Sequence, residues 1–311
     1  MTANSPAPPS LTLNQGRLLV FLAAVLWSLS GFFKTVLTYP TWLGLEEPPL
    51  SPLQIAVFRS LFAGVVLLPL VRPSEVRVCP LMLLMLAFFA LMNWTYMTAL
   101  TQGPAAQAVL LQYTAPLWVI LAGVYVLREP VDRRNAVTVA VGLAGAVVLI
   151  AGNAQQAESS PRNSPWVIGM GLSSGLAYAG VLICLRLLRD VSAAWLTLWN
   201  HLGAGLVLLP TVVMLPWPTL SQLLFLALFG AVQMGLPYWL IARSLRVVSP
   251  QEVGAITLIE PLLLPLWAYL LAPDIETPTL YTWLGGGCIL AALAWRYAPR
   301  RSTEPLASKL L

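Results

Sequence analysis

Between residues 18 and 297 the chain is a succession of apolar stretches of bilayer length, and this limits its fold more than any other feature. The stretches run at roughly 18–38, 53–71, 80–100, 105–127, 135–152, 166–187, 193–214, 219–242, 250–271 and 279–297. A hydrocarbon core of about 30 Å takes about 20 mostly apolar helical residues per crossing. The expected fold class is therefore all-α integral membrane, with ten transmembrane helices. Charged residues make up 9% of the chain, against about 25% in soluble domains. Too little chain lies between the stretches for a soluble domain. The remaining ends read as short tails, 1–16 and 299–311. The first is polar and Pro-rich, without the basic start and cleavage site of a signal peptide.

The pattern excludes several chemistries. Cys79, Cys184 and Cys288 lie in or beside different spans, with no CxxC, and read as small packing residues. With a single histidine, no metal site with ligand spacing is expected. Neither GxxxxGK[ST] nor GxGxxG opens a soluble helix, so no nucleotide-driven motor and no cofactor are expected.

Charge sets an orientation. With the N-terminus inside, all but three of the 17 basic residues fall in cytoplasmic segments. The three are Lys34, Arg59 and Arg162. Glu46, Glu47, Glu158, Asp274 and Glu276 fall in outer loops. This is a positive-inside pattern; it places both termini in the cytoplasm of a multi-pass protein of the inner or plasma membrane. The arginines then meet anionic headgroups, and no nucleic-acid partner is needed to explain the basic pI.

The chain also repeats. With Pro116 laid over Pro261, ALTQGPAAQAVLLQYTAPL (99–117) runs without a gap over SLRVVSPQEVGAITLIEPL (244–262). With Ser51 over Ser192, SPLQIAVFRSLFAGVVLLP (51–69) runs over SAAWLTLWNHLGAGLVLLP (192–210), matching Gly64 with Gly205 and the terminal Leu-Leu-Pro. The first spans correspond loosely, Trp27 over Tyr178. Two five-helix copies are expected, 17–153 and 164–298. Five is odd, so the second enters from the opposite face, the architecture of many secondary transporters.

These residues carry a resemblance. LLQYTAPLWVILAGVYVLREPVDRRNAVTVAVGLAGAVVLI, with Tyr-Thr-x-Pro-Leu at 113–117, Arg-Glu at 128–129 and Gly-Leu-Ala-Gly-Ala in the fifth span, resembles the EamA-type branch of the drug/metabolite transporter superfamily. The second copy repeats Glu-Pro-Leu at 260–262 and a Gly-rich last span at 285–287. It departs where the family commonly has Gly-Glu and this chain reads Ala-Pro-Asp-Ile-Glu (272–276). The resemblance implies export or exchange of small metabolites, with amino acids and aromatic or cationic drug-like compounds as substrate classes.

The residue most in need of explanation is Glu260. It lies about ten residues into its span, or about 15 Å, at the bilayer midplane. An ionisable group there costs on the order of 3 kcal/mol, a large share of a typical net stability of about 5–15 kcal/mol. Pro261 follows it and frees the carbonyl of Thr257, Pro265 frees that of Pro261, and Pro116 frees that of Gln112. Both spans are expected to bend or break at these prolines, which membranes tolerate beside protein or a wet cavity. Two readings stand: Glu260 faces a substrate pathway, binding a cationic amine or carrying a proton, or it is a neutral acid bonded to a neighbouring helix.

Other candidates share its depth. Trp27, Ser30, Gly31 and Lys34 fall on one face of the first span, with Lys34 near enough to the outer end to snorkel. Arg59 can attract a carboxylate, pair with Glu260, or snorkel; its repeat mate is Asn200, followed by His201. Asn93, Trp94, Tyr96, Gln112, Tyr113, Trp199, Gln233 and Tyr238 complete the set, an aromatic pocket with a few polar groups. Trp42, Trp166, Trp217 and Trp295 read as interfacial anchors. Gly171, Gly175 and Gly285–Gly287 read as close-packing positions. Glu129 reads as part of a salt-bridged loop, and Glu252 as an acid at a positive helix start. The sequence points to an alternating-access transporter with a small-molecule substrate and lipid as partners. An intramembrane enzyme using Glu260 with His201 or Arg59, and a passive channel, are the alternatives. Substrate, direction, coupling ion and oligomeric state stay open.

Overall fold

The computed structural model describes residues 11–125, 128, 132–155 and 161–298. The tail beyond either end of these ranges and the loop residue Glu129 lie outside them. Every regular element among the described residues is helical. In chain order these are α1 (Leu13–Ser28), α2 (Ser30–Thr38), α3 (Pro52–Leu67), α4 (Pro80–Gln102), α5 (Ala105–Gln112), α6 (Ala115–Tyr125), α7 (Arg133–Ala154), α8 (Pro165–Leu187), α9 (Ala193–Leu208), α10 (Leu220–Leu228), α11 (Leu236–Ser244), α12 (Pro250–Thr257), α13 (Glu260–Leu271), α14 (Pro273–Glu276) and α15 (Leu280–Tyr297). Helix α1 begins at Leu13, inside the stretch expected to be tail.

Eight segments are long and apolar enough to cross a membrane: Leu13–Thr38, Pro52–Leu70, Pro80–Gln102, Ala105–Tyr125, Arg133–Asn153, Pro165–Leu187, Leu220–Ser244 and Glu252–Leu271. Helices α9 and α15 lie outside these eight and pack against α3 and α7. The starts follow from local chemistry. Thr12, Ser51 and Thr219 each cap a helix and exchange hydrogen bonds with Gln15, Gln54 and Gln222 three residues on. Pro52, Pro80 and Pro165 open helices where a missing N–H costs nothing.

Four segments are interrupted. Helices α5 and α6 separate at Tyr113–Thr114, and α12 and α13 at Leu258–Ile259. Pro116 and Pro261 each sit second in the helix that follows, so the break precedes the proline, as expected from their missing donors. Pro265 does not break the chain; it lies inside α13, which continues to Leu271. Of two further interruptions, the first has no proline at the break, and the second is followed by Pro237, second in α11. Leu29 separates α1 from α2, and a π-helical stretch, Phe229–Gly235, joins α10 to α11.

Close packing sets which helices meet. A Cβ on Gly64 would lie 2.9 Å from Cβ of Leu202, and one on Gly205 would lie 2.6 Å from Cγ of Leu61, so α3 and α9 approach backbone to side chain. Gly145 and Gly285 face each other between α7 and α15, each blocking a Cβ with its carbonyl. Gly171 and Gly175 admit Leu111, and Gly286 admits Leu110, whereas Gly287 meets nothing within 4 Å and is not a packing position.

At the end of the bundle that carries α14, a buried ion cluster joins three segments. Lys34 of α2 is fully buried rather than snorkelling, and its Nζ donates to Glu276 Oε1. Arg162 donates to the same oxygen and, at 2.7 Å, to the carbonyl of Gly103. The N–H of Ala105 donates to Glu276 Oε2 at 2.9 Å. Burial pushes the Glu276 carboxyl up, but Lys34 and Arg162 outweigh it and hold the group below its ordinary value. Its stabilising contribution is thus present above about pH 4.5 and lost as pH falls through the depressed value. Glu276→Gln leaves Lys34 buried without its counter-charge, a change that costs about 3–5 kcal/mol. We expect a lower midpoint in detergent thermal unfolding at pH 7, with the gap to the parent protein narrowing below about pH 4.5.

Candidate functional site

A cavity of about 340 Å³ lies among the helix breaks. Its walls include Trp27 of α1, Arg59 of α3, Tyr96 of α4, Gln112 and Tyr113 at the end of α5, and Pro116 of α6. Gln233 of the π-helical stretch, Tyr238 of α11 and Glu260 of α13 complete the part expected from the sequence. The lining runs along α12 to Val253 and Gly254 and along α15 to Tyr297. No lining residue belongs to α2, α14 or the loop between α2 and α3, the end closed by Lys34, Glu276 and Arg162.

Glu260 stands at the break that precedes α13. Its Oε2 accepts a hydrogen bond from Tyr113 Oη at 2.8 Å. The same hydroxyl lies 3.1 Å from the carbonyl oxygen of Thr257, the carbonyl that Pro261 leaves without a helical partner. The phenol from one broken segment therefore reaches the other.

Arg59 is buried at 2% exposure, so it does not snorkel. Its Nη2 donates to Asn93 Oδ1 at 2.7 Å and its Nη1 to Gln233 Oε1 at 3.4 Å, and the guanidinium lies 5.2 Å from the Phe229 ring centroid. Asn93 is itself fixed, donating to Ala56 O at 3.0 Å and Ser60 Oγ at 2.7 Å. Gln233 also donates to the carbonyl of Trp27 at 3.0 Å, beside the α1–α2 break. The π-helical stretch makes room for this: a Cβ on Gly230 would lie 2.3 Å from the carbonyl of Arg59. Among the described residues neither Arg59 nor Glu260 has an ion pair within 4.0 Å, so the pairing of the two, one of the alternatives the sequence left open for Arg59, is not made.

Six expected site residues do not line the cavity. Asn93 stands behind Arg59 as its anchor. Ser30 is fully buried with its hydroxyl unpartnered among the described residues. Trp94 packs on the main core. Trp199 donates to the carbonyl of Met82 at 3.1 Å and lies tilted against the Trp195 ring. Asn200 is buried, and fully buried His201 sits between the rings of Phe89 and Tyr238 with both ring nitrogens unpartnered among the described residues. His201 is not among the residues that line the cavity beside Glu260, and its ring contacts that of Tyr238, which is. No group of three or more His, Cys, Asp or Glu among the described residues could hold a metal ion.

The sequence reading missed Tyr178, Met92, Leu182, Thr257, Leu293 and Tyr297, all on the wall. Tyr178 carried a signal, since the repeat lays it over Trp27. Thr257 was singled out for its freed carbonyl alone, and the others are apolar or end a helix and carried no signal. Glu252 is where a helix start favours an acid, and Arg17 adds a salt bridge at 2.6 Å.

Comparisons with known proteins agree on one family. The model of the EamA-like transporter family matches residues 14–151 and 165–297. An uncharacterized transporter of Archaeoglobus fulgidus is 28% identical over 247 residues, covering 78% of this chain and 87% of that protein. An S-adenosylmethionine uptake transporter of Rickettsia prowazekii is 32% identical over 109 residues, 32% of this chain and 36% of its own. Its counterpart from Rickettsia conorii is 28% identical over 173 residues, 48% of this chain and 57% of its own. One crystal structure superposes with a TM-score of 0.60 at 16% identity, over 93% of this chain and 100% of its own, a likeness of fold.

The anchoring of Arg59 is open to direct measurement. Asn93→Leu removes an acceptor from a buried guanidinium, where hydrogen bonds to charged groups contribute about 1.5–3 kcal/mol. Thermal unfolding of the variant is expected to show a loss of that size, with Trp199→Phe, off the cavity, showing a smaller one.

Proposed function

Because the chain belongs to the EamA-like transporter family, we propose that it is a secondary transporter that exports or exchanges small metabolites by alternating access. In this reading it has ten spans as two inverted five-helix copies, 17–153 and 164–298. Reciprocal contacts support the two-copy arrangement. Gly64 meets Leu202 while Gly205 meets Leu61, and the repeat lays Gly64 over Gly205 and Leu61 over Leu202. Gly145 meets the N–H of Ile289 while Gly285 meets that of Leu149. Helix α4 packs on α8, and α1 on α11, the pairing of third with sixth span and of first with eighth that a pseudo-twofold requires. The two proline breaks also fall at matched positions, Tyr113–Thr114 over Leu258–Ile259. Copies related in this way can tilt against each other and open a central site to either side.

The observation that carries the substrate class is the pairless cation and acid on one aromatic wall. Arg59 suits a carboxylate, Glu260 suits an ammonium, and Trp27, Tyr96, Tyr113, Tyr178 and Tyr238 suit an apolar or cationic body. An amino acid or an amino-acid-bearing cation carries all three features. S-adenosylmethionine, the cargo in the names of the Rickettsia relatives, is of that class. The arginine bias assigns the end of the bundle near Glu252 to the cytoplasm. The cavity then reaches the cytoplasmic side while the Lys34–Glu276–Arg162 cluster closes the outer one, the arrangement of an inward-open state.

The test is a thermal-shift screen of the purified protein against amino acids and amines, followed by counterflow in proteoliposomes. A stabilising ligand should lose at least tenfold in affinity, about 1.4 kcal/mol, in both Glu260→Gln and Arg59→Gln. Cold substrate preloaded inside should speed label entry, and the label should be recovered chemically unchanged. Equal affinity in both variants would remove the site. Non-saturable flux would favour a channel, and turnover of the label an enzyme.

A further inference from the structure

Tyr113 holds one proton between two acceptors. Its Oη lies 2.8 Å from Glu260 Oε2 and 3.1 Å from the Thr257 carbonyl oxygen. A phenol donates once, so only one acceptor is fully served at a time. When Glu260 is ionised, the charged acceptor takes the phenol's proton. The Thr257 carbonyl, already deprived of a helical donor by Pro261, then has none. When Glu260 is protonated, its own O–H donates to Tyr113 Oη, and the phenol's proton turns to Thr257. Two hydrogen bonds in series then run from Glu260 through Tyr113 to the backbone at the break.

We propose that Tyr113 is a positioning residue that links the charge state of Glu260 to the geometry of the α12–α13 break. Protonation of Glu260 caps the Thr257 carbonyl and fixes the break. Loss of that proton to cavity water, or displacement by a cationic substrate, frees the carbonyl and loosens it. Tyr113 belongs to the α5–α6 break, so the same event acts on both broken segments. The proposal rests on the reading of Glu260 as a substrate- or proton-binding group, and it supplies the route from binding to movement.

The surroundings of Glu260 leave the link legible. The phenols of Tyr96 (α4), Tyr178 (α8) and Tyr238 (α11) face it, and Arg59 (α3) and Tyr297 (α15) share its cavity. These phenols and the guanidinium ordinarily keep one charge state across about pH 5–9. Of the helices packed on α13, α5 carries no ionisable side chain. The cation of α1, Arg17, is paired with Glu252, and that of α2, Lys34, with Glu276. On α14, Asp274 is exposed at the far end and Glu276 is held by Lys34 and Arg162.

The experiment is hydrogen–deuterium exchange of the full-length protein in nanodiscs at pH 5.5 and 8.5, corrected for intrinsic rates, read on peptides spanning 255–264. The unmodified protein should exchange there at least threefold faster at pH 8.5 than at pH 5.5. Tyr113→Phe keeps the ring and removes the link, so its two rates should agree within the error of the measurement. Glu260→Gln, whose amide donates to Tyr113 at every pH, should stay slow at both. Pro261→Ala restores a donor to Thr257 and should also be slow at both, which provides a second test should Tyr113→Phe fold poorly. An unmodified protein whose rates agree, or a Tyr113→Phe variant with the full pH difference, would overturn the proposal. The readout needs no transport, so a failure of counterflow with an intact pH difference would count against the transport reading alone.

Discussion

A backbone carbonyl inside an apolar slab must find a donor, and this requirement shapes the centre of the protein. Helices of bilayer length satisfy their own polar groups. Each interruption creates groups that cannot be satisfied that way. Here the interruptions lie together, and side chains from neighbouring helices serve them: Tyr113 reaches the Thr257 carbonyl, and Gln233 reaches that of Trp27. The cavity is where those side chains converge. Its polar character follows from the breaks and was not imposed on an otherwise regular bundle.

Two buried cations differ in a way that bears on the proposed use of the cavity. Lys34 and Arg59 are both nearly without solvent contact. Lys34 is matched by Glu276, with Arg162 sharing the carboxylate, and none of the three lines the central cavity. Such a pair is costly to separate and closes its end of the bundle. Among the described residues Arg59 has the neutral acceptors Asn93 and Gln233 and the face of Phe229. Neutral acceptors orient a guanidinium without cancelling its charge, so Arg59 presents an uncancelled charge at the cavity wall. The contrast separates a cation used to hold helices together from one kept available.

Much of this was legible in the sequence, for identifiable reasons. Helix positions follow from apolar length, and starts from Thr12, Ser51 and Thr219 with their glutamines. Pro116 and Pro261 marked two breaks because a missing N–H is a local property. The break at Leu29 has no such residue, and Pro237, which follows the π-helical stretch at 229–235, was not read as marking one; both interruptions adjoin the contacts of α3 with Gly230 and of Gln233 with α1. Lys34 was misread for a related reason. Its partner lies far along the chain, and the short helix α14 that returns Glu276 to it replaces a Gly-Glu pattern the sequence lacks. His201 and Asn200 were chosen for polarity at the right depth, but depth does not fix rotation about the helix axis. Tyr238 shields His201 from the cavity and leaves Asn93, not Asn200, touching Arg59.

On the proposed two-copy reading, the chemistry is single although the backbone pattern is double. In the register that lays Pro116 over Pro261, Glu260 faces Ala115 and Tyr113 faces Leu258. In the register that lays Ser51 over Ser192, Arg59 faces Asn200. The glycine crossings and the proline breaks occur at matched positions of both halves. The acid, its phenol and the arginine occur once each, with the acid in the second copy and the other two in the first. Duplicating them would place two like charges in one cavity of about 340 Å³, where each would disfavour ionisation of the other. One acid bonded across the pseudo-symmetry to a phenol of the opposite copy avoids that repulsion. Under the proposed link through Tyr113, the bond between the copies would depend on what the acid holds, and a repeated backbone would receive a bias from a single side chain.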